Sequence, residues 1–184
     1  MSAIEPKEFQ LKTGEKIIVR SAVPEDAERL LAFTKTVLGE SNFYATEPDE
    51  VDKMLEQEEE LLKDYRDAPG KIQLLVEING VLIGRLNFLN GKRRRLSHHG
   101  EFGMSVKKEW RGKGAGSALL QALLDWAAEN PLIEKVCLGV FPTNERGLVL
   151  YKKFGFTEEG RRVKEVKMPD GTYEDTILMY RFVK

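Results

Sequence analysis

Asn79-Gly80 sits between two aliphatic runs, Ile72–Ile78 and Val81–Leu89, and it narrows the fold more than any other feature of the sequence. A two-residue Asn-Gly link favours left-handed backbone at both positions, which matches the twist of a tight hairpin. Antiparallel sheet must therefore occupy the middle of the chain. Asn90-Gly91 begins a second turn, and beyond a basic tip, Lys92–Arg95, the segment Leu96–Val106 predicts a third strand. Upstream, Lys16–Arg20 reads as a short strand, and Pro24 with Glu25 and Asp26 opens a helix running to about Leu38. Thr46 and Asp49 match a capping box ahead of Val51, Met54, Leu55, Leu61, Leu62 and Tyr65, whose spacing predicts a second helix, broken by Asp67–Gly70.

Downstream, Ala115, Ala118, Leu119, Ala122, Leu123, Trp126 and Ala127 recur at helical spacing until Asn130-Pro131 stops them. Lys135–Val140 predicts a strand, Asn144 caps a helix over Glu145–Phe154, and Gly155 suits its left-handed C-terminal position. Phe156–Lys167 and Thr172–Phe182 close the chain as a hairpin around Pro169-Asp170-Gly171. The order β, α, α, β, β, β, α, β, α, β, β predicts an α/β domain: a mixed, mostly antiparallel twisted sheet of about seven strands, flanked by about four helices. At 184 residues, a single domain over 1–184 is expected.

Composition removes several function classes. Hydrophobic residues make up 41% and charged residues 32%, the balance of a folded soluble protein. Ala118–Ala128, among the longest apolar stretches, is interrupted by Gln121 and Asp125, short of the ~20 residues a spanning helix needs. The segment MSAIEPKEF lacks a signal peptide's apolar region, so a cytoplasmic location without membrane attachment is expected. Cys137 is the single cysteine, which removes an internal disulfide and the spacing of a zinc site, and no metal is expected. A formal net charge of −1 argues against nucleic acid as a partner. Acids far outnumber bases over Glu47–Asp67, which suits either a solvated helix face or attraction of a cationic amine.

Arg111-Gly112-Lys113-Gly114-Ala115-Gly116 joins a predicted strand to an amphipathic helix. There the first helical N–H groups and the positive end of the helix dipole converge on an anion, and a diphosphate is the natural occupant. Glycines let phosphates approach the amides, and Arg111 and Lys113 add charge; the plain alternative is a glycine-rich turn packed on its own helix. Lys113 precedes the second glycine, so it cannot serve as the lysine of a Walker loop. A dinucleotide fingerprint fails as well, because the loop does not follow a first strand and the next strand ends Val140-Phe141-Pro142 without an acid.

The pattern of Arg111, Gly114 and Gly116, followed by Asn144, Leu150-Tyr151 and Gly155-Phe156 in NERGLVLYKKFGF, resembles the GCN5-related N-acetyltransferase (GNAT) family. The resemblance spans about Leu96 to Phe156, with Gly147 standing where the family commonly has alanine, a change expected to weaken the helix slightly. It implies an acyl-CoA N-acyltransferase fold with a V-shaped split between the central strands ending near Val106 and Val140. It also implies acetyl-CoA as cosubstrate. Met104, Ser105 and Val106 would hold the pantetheine arm; Arg111, Gly112, Lys113, Gly114, Ala115, Gly116 and Ser117 the pyrophosphate; Asn144 the cofactor arm.

Acyl transfer to an amine needs a proton acceptor for the amine, a hydrogen bond to the carbonyl oxygen and a proton for the leaving thiolate. The resemblance makes Tyr151 the general acid, against the alternative that it packs its helix on the sheet. Glu101, on the strand leading to Met104, is the candidate base, with His99 as its substitute; backbone N–H groups near Met104–Val106 would meet the oxygen. Cys137 on a core strand reads as a small hydrophobe, which favours direct attack in a ternary complex over a cysteine intermediate. The acceptor implied is the primary amine of an amino acid, polyamine or other small molecule. A protein N-terminal or ribosome-associated acetyltransferase and a non-catalytic acyl-CoA-binding module are the alternatives. The closing hairpin offers an edge strand for a homodimer.

Overall fold

The computed structural model describes residues 3–47, 50 and 55–184. Its strands are β1 (Lys7–Gln10), β2 (Lys16–Ser21), β3 (Lys71–Ile78), β4 (Val81–Asn90), β5 (His99–Val106), β6 (Lys135–Val140), β7 (Thr157–Lys167) and β8 (Tyr173–Phe182). Its helices are α1 (Ala27–Gly39), α2 (Leu55–Asp67), α3 (Ala115–Glu129) and α4 (Glu145–Lys153). The eight strands form one sheet in the order β1-β2-β3-β4-β5-β6-β8-β7, mixed and mostly antiparallel as expected. The additional strand is β1, whose KEFQ sequence has only Phe9 as an apolar signal and which pairs along a single edge, with β2.

Asn79 and Gly80 make the expected turn, with φ of 48° and 77° and Ile78 opposite Val81. The strand expected from Leu96 begins at His99, because Arg94–Leu96 forms a single 3-10 turn at the basic tip. Pro24–Asp26 is likewise a 3-10 turn ahead of α1, held by the Asp26 carboxylate accepting from the Val23 amide at 3.0 Å. Asp49 of the expected capping box, with Val51 and Met54, lies outside the described residues. No helix among the described residues is long and apolar enough to cross a membrane.

Both faces of the sheet are covered over β2–β4. On one, Ile72, Leu74, Val76, Leu86 and Phe88 pack against Leu119, Leu120, Leu123 and Trp126 of α3, with Phe88 and Trp126 edge to face at 5.5 Å. On the other, Leu75 and Leu82 meet Leu30, Phe33 and Val37 of α1 and Leu62 of α2. Each buried side chain of this size contributes roughly 1.5–3 kcal/mol.

The sheet opens at its centre. β5 and β6 run parallel and pair only through His99 with Lys135, Gly100 with Val136 and Glu101 with Cys137. Past that point β5 stays with β4 as far as Gly84 opposite Val106, while β6 stays with β8 as far as Val140 opposite Ile177. Phe102–Val106 and Leu138–Val140 thus become the two lips of a split. Phe102, the first residue beyond the last pair, packs edge to face with Tyr151 at 5.8 Å and Phe156 at 5.9 Å. An aromatic cluster therefore sits where the strands part.

Candidate functional site

The glycine loop lies beside the end of β5. Gly112 (φ 78°) and Gly114 (φ 116°) are in the left-handed region, where a side chain would be strained. Gly114 is the N-cap of α3 and, lacking a side chain, caps nothing; the Ala118 amide bonds the Gly114 carbonyl at 3.0 Å. The amides of Ala115, Gly116 and Ser117 precede that bond, so their N–H groups and the positive helix end face outward together. The Lys12 amide donates to the Lys113 carbonyl at 2.9 Å, fixing the loop to the segment after β1, and the Lys113 ammonium lies 4.8 Å from the Trp110 ring centre.

Arg111 takes a more specific position than its charge alone implied. Its Nε donates to the Val106 carbonyl at 2.8 Å and its Nη2 reaches Glu40 Oε2 at 3.2 Å. The same Glu40 oxygen accepts from the Lys108 amide at 2.7 Å. The guanidinium thus ties the end of β5, the glycine loop and the residue following α1 to one another.

Asn144 caps α4, its Oδ1 accepting from the Gly147 amide at 3.0 Å. A Cβ added at Gly147 would stand 2.9 Å from Asn144 Nδ2. Glycine at 147 is therefore what this Asn144 rotamer accommodates, and the intrinsic helix cost of about 1 kcal/mol is offset by the cap. One turn further on, Tyr151 is only 8% exposed, and among the described residues its hydroxyl makes no hydrogen bond. Burial, then the neighbouring Tyr44 phenol, push its pKa up to about 12. The phenol stays protonated at neutral pH, as a proton donor must.

Glu101 occupies the last paired position of β5 and is exposed, while its neighbour Phe102 is buried against Tyr151. Alternation along a strand puts Glu101 and Tyr151 on opposite faces of β5, so the two candidate proton-transfer groups approach the split from different sides. His99 and Glu101 line a cavity of about 210 Å³ with Lys135, Cys137, Glu159 and Leu178. Cys137 is buried and its pKa is pushed up to about 11 by burial, the Lys135 charge opposing only in part. Its thiol is neutral at pH 7 and a poor nucleophile.

Met104, Ser105 and Val106 form the β5 lip, their backbone paired with β4 on one side only. The Ser105 side chain faces away from α3 into a second cavity, of about 270 Å³, beneath α1 and α2. Its polar lining includes Thr34, Tyr44, Glu58 and Arg85. Thr34, Tyr44 and Arg85 did not stand out in the sequence, whereas Glu58 belongs to the acidic stretch Glu47–Asp67. Arg85 alternates with Leu86 on a strand whose outer face is covered only once α1 and α2 are in place, and Tyr44 joins the site from a connecting segment.

The acetyltransferase (GNAT) family profile matches residues 37–156. The L-amino acid N-acetyltransferase AaaT of Escherichia coli (strain K12) is 33% identical over 115 residues, 62% of this chain and 70% of that protein. YdaF of Bacillus subtilis (strain 168), provisionally named as a ribosomal N-acetyltransferase, is 29% identical over 90% of this chain and 87% of its own length. A GNAT-family acetyltransferase from Streptococcus pneumoniae superposes with a TM-score of 0.87 at 28% identity, covering 91% of this chain and 99% of that one. The chain therefore belongs to the GNAT family and is an N-acetyltransferase.

Proposed function

We propose that this protein transfers the acetyl group of acetyl-CoA to the primary amine of a small molecule, by direct attack within a ternary complex. The observation that carries the reading is the split itself: a strand edge, Phe102–Val106, left without a sheet partner and leading through the glycine loop to the outward-facing amides of Ala115–Ser117. Such an edge suits the amides of a pantetheine arm, and such a loop suits a pyrophosphate. Acetyl-CoA supplies an activated acyl thioester; the protein's part is to align it and manage protons. Tyr151 keeps its proton until a departing sulfur needs one, and Glu101, exposed where the lips part, takes the proton of the amine. A backbone N–H of the β5 lip serves the carbonyl oxygen.

A small acceptor is favoured by the dimensions of the cavities beside the split, about 210 and 270 Å³, below the ~300–1,000 Å³ range of drug-sized ligand pockets. The similarity to YdaF supports a second reading, an acceptor on a ribosomal protein, for which intact-mass analysis of protein substrates is the discriminating measurement. Residues 1–184 are read as one domain for either acceptor.

Tyr151→Phe is the test of the mechanism. The acid role predicts a loss of about 10²–10⁴-fold in kcat with acetyl-CoA binding and thermal stability retained. A fully active Phe variant would remove Tyr151 from the chemistry.

A further inference from the structure

The cavity beneath α1 and α2 has a chemistry of its own. Leu75, Arg85 and Ser105 are consecutive cross-strand neighbours on β3, β4 and β5, so Arg85 stands one strand away from the lip of the split, on the face that α1 and α2 cover. Leu31, Val37 and Leu38 of α1 line the same cavity, so the guanidinium is partly buried beside apolar side chains. Among the described residues it makes no hydrogen bond and no ion pair within 4.0 Å. Arg20, Arg29, Arg66, Arg111, Arg161, Arg162 and Arg181 all have such partners. Burial draws the Arg85 pKa below the ordinary arginine range, and the nearby Glu58, Tyr65 and Tyr44 oppose it without reversing it.

A desolvated cation of this kind is costly until an anion reaches it. Its planar fork of N–H donors is the best match among side chains for a carboxylate, which it can take in a two-point pair. Glu50 and Glu58, the latter 4% exposed, line the same cavity, so carboxylates and a guanidinium face it together. A polyamine presents only cations, which Glu50 and Glu58 attract but which leave Arg85 unpaired, whereas an amino acid offers an ammonium to the acids and a carboxylate to Arg85.

We infer that Arg85 is the carboxylate-binding residue of the acceptor pocket, so that the amine acetylated belongs to an amino acid. The inference rests on the acetyl-transfer reading above and narrows it to one class of acceptor. Arg85 holds the carboxylate on β4 while the amine reaches across Ser105 toward the split. Specificity follows, because an acceptor that lacks the carboxylate leaves the buried guanidinium unpaired.

The test measures CoA release from acetyl-CoA with matched acceptors: methionine against methioninamide, phenylalanine against phenethylamine, and spermidine. For the wild type, kcat/KM for the amino acids is expected to exceed that for their carboxylate-free counterparts by about 100-fold. Most of that difference is expected in KM. Arg85→Gln should bring the ratio close to one, and Arg85→Lys should restore part of it. If Arg85→Gln does not fold, Arg85→Lys carries the test, and a folded variant at Arg85 that keeps the full wild-type ratio overturns the inference. Wild-type turnover of the amides, phenethylamine or spermidine equal to or better than that of the amino acids overturns the inference, as does absence of turnover with every acceptor. Calorimetric titration with acetyl-CoA on the same preparation separates the two levels. Intact cofactor binding with an unfavourable ratio sinks the amino-acid assignment alone, whereas loss of binding sinks the acetyl-transfer reading as well.

Discussion

Cys137 and Tyr151 show how burial sorts titratable residues into roles. Both have raised pKa values, about 11 and about 12, and in both burial is the leading cause. For a thiol this abolishes nucleophilicity at neutral pH; for a phenol it preserves a donor. Cys137 lines the cavity beside Glu101, close enough to the split that a covalent route deserves a direct test. Cys137→Ala is expected to retain kcat within about threefold, at the modest cost typical of a small core truncation. Mass spectrometry of the wild type quenched during turnover should show no acetylated cysteine. An acetyl adduct on Cys137, or a variant without activity, would replace direct attack with a two-step mechanism. Part of this scale was legible in the sequence: Gly112 and Gly114 lie in the loop ahead of α3, Asn144 caps α4 and Tyr151 lies on α4, as their spacing implied. Arg85 and Tyr44 were not, because their value depends on which residues the register and the α1–α2 cover bring beside them.

At the scale of elements, a buried ionic cluster joins β2, β3 and the start of α1. Arg20 donates to both carboxylate oxygens of Asp26 at 2.7 Å and to Glu77 at 2.9 and 3.1 Å, and Arg29 reaches both acids from α1. Burial works to raise the pKa values of Asp26 and Glu77, but the hydrogen bonds and charges of Arg20 and Arg29, with the Val23 amide on Asp26, leave both lowered. Depressed folded values mean that this stability is complete above the unfolded pKa values of about 3.9 and 4.3. It is lost as pH falls through the lower folded ones. Resistance to urea unfolding is therefore expected to weaken steeply below about pH 4, and Asp26→Asn to cost about 3 kcal/mol at pH 7 while flattening the acid limb. Equal acid sensitivity in the wild type and Asp26→Asn would contradict the assignment.

The same element scale explains what sequence periodicity captured. The hairpin at Asn79-Gly80 and the amphipathic α3 announce themselves through local backbone chemistry and a continuous apolar stripe. β1 does not, since four residues with one aromatic become a strand only through pairing with β2. The start of β5 shifted from Leu96 to His99 because the basic tip spends three residues in a 3-10 turn. Gly147 carries the expected helix cost and also leaves the space that the Asn144 cap occupies.

For the whole molecule, the consequence of this architecture is a sheet that is packed on both faces over β2–β4 and divided at its centre. Helices cover both faces of the first part, and the second part, β6, β8 and β7, departs from it after three paired positions. The split, the uncapped start of α3 and the protonated Tyr151 converge there, and the polar cavity holding Arg85 adjoins the same lip. A crystal structure of the acetyl-CoA complex tests this convergence most directly. The account predicts the pantetheine hydrogen-bonded to the free edge of Met104–Val106, the pyrophosphate on the amides of Gly112–Ser117, and the sulfur within hydrogen-bonding distance of the Tyr151 hydroxyl. A cofactor bound outside the split, or one whose sulfur lies out of reach of Tyr151, would contradict it.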